Sequence, residues 1–201
     1  FYLNELWLRD MNVLLRARNL GVRREEKSVT LSLEIKLGEI HALIGPNGSF
    51  KTTALRTMAG LRFYEEGSLE TQSSFCFVGY PHWQNMDLTV REALEFWSAC
   101  YGRPTIDLAI EACELCDLLG RFIYQLSQGQ RQRLSLARLF CGSFSLWIID
   151  EPFSNLDEEW TKRVEKLMHQ FQQRGGSIFF SDHQITGRAF EYLPYILRIP
   201  M

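Results

Sequence analysis

Apolar and polar residues alternate along residues 11–20 and 29–37, the period of two that marks half-buried β-strands. Glu25, Glu26 and Lys27 form the charged turn between them, and Leu37, Gly38 and Glu39 form a second. Ile40–Ile44 is a short continuous apolar run, as in a strand buried on both faces, and a glycine-containing loop follows it. Thr52 to Gly60 reads as a helix that Gly60 ends. Residues 67–78 look like a pair of strands at a β-rich edge. From Thr89 the period changes to three and four, with Val90, Ala93, Leu94, Trp97 and Tyr101 on one face. Gly102 and Pro104 break that helix, a second starts near Ile106, and a third runs from Ser127 through Phe140. Strand patterns return at residues 144–149 and 177–181, with a helix over residues 158–173 between them. Strands alternating with helices predict a mainly parallel sheet covered on both faces.

Composition narrows the setting. The chain has 201 residues, 46% apolar and 23% charged, enough for one domain with a real core. No apolar run approaches the ~18 residues needed to span a bilayer, so the expectation is no direct membrane insertion. A net charge of −2 gives no basic surface for nucleic acid. Five cysteines and no signal-peptide pattern favour reduced thiols. Cys113 and Cys116 form a CxxC, but no second ligand pair accompanies it, and its helical context reads both as small apolar residues. Residues 1–10 read as a leader or arm of unknown role, outside a folded unit over 11–201 with a helical sub-lobe over about 87–135.

Three segments carry chemistry. Gly45, Pro46, Asn47, Gly48, Ser49, Phe50, Lys51, Thr52 and Thr53 join a buried strand to a helix, a phosphate cradle of backbone amides at a positive helix end. Lys51 would reach the terminal phosphates of ATP, and Thr52 would offer its hydroxyl to Mg²⁺. Phe50 departs from the pattern, which calls for glycine before the lysine; a side chain there is strained if φ is positive. Apolar residues 146–149 end in Asp150 and Glu151, placing two carboxylates at the carboxyl end of a strand, where ligands sit in open α/β sheets. Asp150 would hold the metal, and Glu151 would orient or deprotonate the attacking water. Read alone they could be two surface acids; beside the glycine loop they complete a phosphoryl-transfer site. Leu126, Ser127, Gln128, Gly129 and Gln130 form the third segment, with Ser127 at a helix cap where following amides can meet phosphate.

With Ser154, Asn155, Leu156, Asp157 and a histidine after the next strand, these segments occur in the order seen in ATP-binding subunits of ABC transporters, which the chain resembles from about Met11 onward. The run from Leu126 to Gln130 looks like that family's signature and is its most specific element. The resemblance implies an α/β P-loop NTPase of the ABC ATPase type, with a mainly parallel core sheet, an antiparallel β edge and a helical sub-lobe. It implies ATP and Mg²⁺ as ligands and hydrolysis coupled to transport. Ser127, Gly129 and Gln130 would contact ATP held by an opposing subunit of a homodimer, and Asp157 would lie at the subunit boundary. His183 looks like the switch histidine at the γ-phosphate. Gln84 is nominated as the glutamine between nucleotide and membrane partner, although it lies a few positions late. The adenine-stacking aromatic near Val22 to Arg24 is missing; Arg23 or Arg24 lies against the base, or the two are a solvated pair. Exposed aromatics of the helical lobe, Trp83 and Trp97, would pass motion to an integral membrane subunit, with core packing the alternative for Trp97.

Within the family, the short chain and the segments from Leu126 and Leu146 look most like the cytochrome c biogenesis, haem-exporter group, the CcmA family. That implies a place on the cytoplasmic face of a bacterial inner membrane or its organellar equivalent. A binding-only subunit, impaired by Phe50 and the displaced glutamine, is the alternative from another class. A soluble ABC ATPase acting on DNA or ribosomes is a third.

Overall fold

The structure is a computed structural model that describes residues 12–24, 27–79, 87–183 and 195–199. Its strands are β1 (Val13–Arg24), β2 (Lys27–Lys36), β3 (Ile40–Ile44), β4 (Ser68–Thr71), β5 (Phe75–Val78), β6 (Leu146–Asp150), β7 (Ser177–Asp182) and β8 (Tyr195–Arg198). Its helices are α1 (Lys51–Met58), α2 (Val90–Cys100), α3 (Asp107–Cys113), α4 (Gln128–Ala137) and α5 (Glu158–Gln173). Short 3₁₀ turns occupy Cys116–Leu118, Ile123–Gln125 and Arg138–Phe140.

Two sheets result. The larger is parallel throughout, in the order β5-β6-β7-β3-β8, and the smaller is antiparallel, β2-β1-β4. Residues 67–78 do contain two strands, but they do not pair with each other. β4 joins β1 in the antiparallel sheet, while β5 joins β6 at the edge of the parallel one. Polarity explains the split. Phe75, Cys76, Phe77 and Val78 can be buried beside β6, whereas Ser68, Glu70 and Thr71 suit a solvent-facing edge.

Alternation along the central strands divides the core between the two faces. Leu43, Leu146, Ile148 and Phe179 point to the side of α1 and the antiparallel sheet, packing with Ala54, Leu55, Met58, Leu15 and Ile35. Ala42, Trp147, Ile149, Ile178 and Phe180 point the other way, toward Leu94, Leu134, Val164 and Met168 from the helices. Each fully buried Phe or Leu side chain contributes about 1.5–3 kcal/mol of transfer free energy. Trp97 belongs to this core. It is 8% exposed, because the three-and-four stripe of α2 from Val90 to Trp97 turns inward, so it offers no docking surface. Phe96, its neighbour off that stripe, is 60% exposed instead. Trp83 lies outside the described residues.

Local chemistry sets the helix ends. Thr89 and Glu92 form a reciprocal capping box that starts α2. Asp157 caps α5 by accepting the Trp160 amide at 2.8 Å, and Glu158 and Glu159 complement the helix dipole. Cys113 is buried, which pushes its thiol up to about 12, while Cys116 is exposed, so the two do not form a matched thiolate pair. Among the described residues no helix is long and apolar enough to cross a membrane.

Candidate functional site

β3 delivers the chain to the carboxyl edge of the parallel sheet, and the Gly45 amide donates to the Asp182 carbonyl of β7 at 3.2 Å. The loop then turns tightly, with the Ser49 amide on the Pro46 carbonyl at 3.2 Å. Gly48 has φ +83°, a conformation that favours glycine. Phe50 takes a similar one, φ +70°, so the strain anticipated for a side chain there is present. Phe50 occupies the cap position of α1 yet supplies no side-chain acceptor, and no acidic residue lies in the first turn. The leading amides of α1 therefore have neither an intrahelical acceptor nor a cap, and they face the loop as donors.

Asn47, Gly48, Ser49, Phe50, Lys51, Thr52 and Thr53 line a cleft of about 210 Å³, and Glu151 closes its far side. Lys51 is 4% exposed and folds back over the loop, donating from Nζ to the carbonyls of Gly45 at 2.7 Å and Pro46 at 3.0 Å. Its Nζ is also 3.8 Å from Glu151 Oε1. Ser49 Oγ is buried with no hydrogen-bond partner among the described residues. A buried hydroxyl of this kind costs about 1–3 kcal/mol unless something pairs with it. An uncapped helix end and a lysine around one cleft fit the phosphate groups of a nucleotide.

The second part of the site is the end of β6. Asp150 is 4% exposed, and its Oδ1 accepts a hydrogen bond from Ser181 Oγ at 2.6 Å. Glu151 has φ +50°; its amide donates to Ser181 Oγ at 3.1 Å, and its Oε2 accepts from Ser154 Oγ at 3.1 Å. Gln132 Nε2 donates to the carbonyls of Glu151 and Pro152, both at 3.2 Å. The structure thus brings the glycine loop and Glu151 to one cleft, with Asp150 beside Glu151 at the strand end. One carboxylate and one threonine hydroxyl suit Mg²⁺, which takes few protein oxygens and relies on substrate phosphates for the rest.

His183 follows β7, whose last residue pairs in register with Ile44 at the start of the loop. Its amide donates to Asp182 Oδ1 at 2.7 Å, and its ring Nδ1 lies 2.9 Å from the same oxygen. The ring is half exposed. Gln84 lies outside the described residues. Arg23 is exposed and ion-paired with Glu65 at 3.3 Å, which fits the solvated reading of that arginine. The side chain of Arg24 lies outside what is described.

Ser127, Gly129, Gln130 and Asp157 do not line the cleft. Ser127 and Gln130 close the start of α4 reciprocally: the Gln130 amide donates to Ser127 Oγ at 3.2 Å, and the Ser127 amide to Gln130 Oε1 at 3.0 Å. A Cβ on Gly129 would come within 2.9 Å of the Asn155 carbonyl, so α4 packs directly on the loop between β6 and α5. The sequence pattern singles out neither Ser181 nor Gln132, and Ser154 only as part of the segment ending at Asp157. Ser181 left one trace, a hydroxyl directly after the apolar run Ile178–Phe180, while Gln132 looks like any polar helix residue.

Comparison with known proteins agrees with this geometry. The family described as "ABC transporter" matches residues 29–154. The cytochrome c biogenesis ATP-binding export protein CcmA of Paracoccus denitrificans is 36% identical over 173 residues, 85% of this chain and 82% of that protein. The protein of the same name from Vibrio cholerae is 35% identical over 189 residues, covering 85% of this chain and 91% of that one. Among solved structures, a metal-chelate type ABC transporter in an inward-facing conformation superposes with a TM-score of 0.75 at 26% identity, over 86% of this chain and 74% of that one. An ATP-binding subunit of an ABC transporter gives a TM-score of 0.79 at 24% identity, over 92% and 85% of the two chains, a likeness of fold.

Proposed function

The chain belongs to the ABC transporter family of ATP-binding proteins, in its cytochrome c biogenesis CcmA group, and we propose that it powers a membrane exporter serving c-type cytochrome assembly. It is an ABC ATPase subunit that binds nucleotide. The observation that carries the catalytic reading is the cleft in which Lys51 Nζ stands 3.8 Å from Glu151 Oε1, at an uncapped helix end.

In this reading the leading amides of α1, together with loop amides not already bonded within the protein, hold the phosphates of ATP. Lys51 keeps two hydrogen bonds to its own loop and directs its charge at the terminal phosphates. Thr52 and Asp150 hold Mg²⁺, which supplies charge neutralisation at the phosphate oxygens when bound. Glu151 orients the attacking water and accepts its proton. His183, at the same sheet edge, contacts the γ-phosphate, with Asp182 fixing its ring. Ser127, Gly129, Gln130 and Asp157 serve the nucleotide of an opposing copy in a head-to-tail homodimer. Their absence from the lining of this chain's own cleft supports that assignment. Gln84 remains the nominee for the link to an integral membrane subunit, with the helical sub-lobe over about 87–135 as the docking region. The chain is then peripheral, on the cytoplasmic face of an inner membrane or its organellar equivalent. In this reading the exported substrate is haem, as the chain's resemblance to the haem-exporter group implies.

Glu151→Gln tests the reading. ATP hydrolysis by the assembled protein should fall about 10²- to 10⁴-fold while ATP binding persists. Equal rates for wild type and variant would sink it and leave a binding-only subunit.

A further inference from the structure

Two side chains outside the glycine loop grip the backbone of Glu151 from both of its peptide groups. Ser181, fully buried on β7, accepts the Glu151 amide at 3.1 Å and donates to Asp150 Oδ1 at 2.6 Å. Gln132, on α4 and 3% exposed, donates from Nε2 to the carbonyls of Glu151 and Pro152, both at 3.2 Å. Between these restraints Glu151 holds φ +50°. A non-glycine residue in that region is strained, and the conformation persists only where its surroundings over-determine it. Gln132 is one of the groups that do so. Its carboxamide is inside the protein, its donors reach backbone carbonyls alone, and a buried amide without them would be costly.

We propose that Gln132 is a positioning residue for Glu151, setting the pose of that carboxylate from α4 of the same subunit; this rests on the role of Glu151 given above. The amide touches no reacting atom and acts only through the Glu151 and Pro152 carbonyls. Its place on α4 gives the contact a second meaning. Gln132 lies within the first two turns of the helix that Ser127 and Gln130 begin. A shift of that helix start, the segment assigned to the opposing nucleotide, therefore pulls on the Glu151 backbone through one rigid element. Gly129, packed on the Asn155 carbonyl, ties the same helix to the following turn of that loop.

Gln132→Leu in the full-length protein tests this, since leucine approximates the volume and removes the donors. The turnover number for ATP should fall about 10- to 100-fold, the scale expected when a reacting group is displaced by about an ångström. The KM for ATP and the affinity for a non-hydrolysable ATP analogue should stay within about twofold. On the residual rate of Glu151→Gln, adding Gln132→Leu should have no further effect, because the two act as a unit. Unchanged turnover would overturn the proposal. So would a matched loss of turnover, nucleotide affinity and melting temperature, or a further slowing of Glu151→Gln, since both describe a merely structural glutamine. If the leucine variant does not fold, Gln132→Met, unbranched and equally without donors, carries the same expectations. Full activity of Glu151→Gln would remove the general-base assignment itself, whereas an inactive Glu151→Gln beside a fully active Gln132→Leu would overturn the positioning role alone.

Discussion

Two helices of this protein begin where phosphate chemistry is expected, and they begin in opposite ways. At α1 the cap position is Phe50, which offers no acceptor, the first turn has no acid, and a cleft of about 210 Å³ opens onto the leading amides. At α4 the cap is Ser127, which takes the Gln130 amide at 3.2 Å and gives its own amide to the Gln130 side chain at 3.0 Å. The first helix leaves its donors for an anion. The second has used part of its donor set internally. A side-chain cap is worth about 1 kcal/mol, so α4 is closed only lightly and can share its amides once a nucleotide is pressed against it. In the proposed head-to-tail dimer, the contrast would give affinity to the glycine loop, and to α4 a contribution that arises when another copy arrives.

Lys51→Ala should produce the largest effect and so tests the comparison hardest. It removes two charge-bearing hydrogen bonds to the loop, at 2.7 and 3.0 Å, along with the charge facing the phosphates. One charge-assisted contact to a phosphate is worth about 1.5–3 kcal/mol, so ATP affinity of the isolated chain should fall about 10- to 150-fold in a calorimetric titration. Ser127→Ala in the same titration should leave affinity within about twofold. A comparable loss in both variants would break the comparison.

The second test reads stability instead of binding. Ser127→Ala deletes the cap of α4 and should cost about 1 kcal/mol. For a domain of this size that lowers the melting temperature by about 2–4 °C in a thermal scan without nucleotide. No change would mean that the capping box stores nothing, and α4 would then be as open as α1.

The sequence made the cleft legible because its determinants are local. A buried strand, a glycine turn and a hydroxyl-rich helix start are consecutive, and two carboxylates end another strand. The helix over residues 158–173 and the α4 start were equally readable, because their caps, Asp157 and Ser127, precede them directly. What stayed hidden depends on pairings between distant segments. Nothing local tells β4 and β5 to enter different sheets, because that follows from the burial each sheet offers. Trp97 could face in or out until the width of the α2 stripe was fixed by its packing partners. Ser181 and Gln132 reach Glu151 across 30 and 19 residues of chain, a separation no motif records.

Phe50→Gly is the smallest expected effect and the one that sharpens the contrast most finely. Its φ of +70° strains a side-chain-bearing residue by about 1–2 kcal/mol, and glycine removes that strain. Glycine also gains about 0.4–1 kcal/mol of freedom in the unfolded chain, which offsets much of the gain, so folding stability should move by no more than about 1 kcal/mol. Binding is the more telling readout. The ring forms part of the cleft wall, and without it the loop backbone can come nearer an anion. ATP affinity should tighten about threefold, roughly 0.7 kcal/mol. Unchanged affinity would show that the loop carries the ring without loss, so that α1 is already as open as a glycine would make it. Weaker affinity would reverse the argument, making the ring a contact for the nucleotide and the strained backbone the means of holding it there.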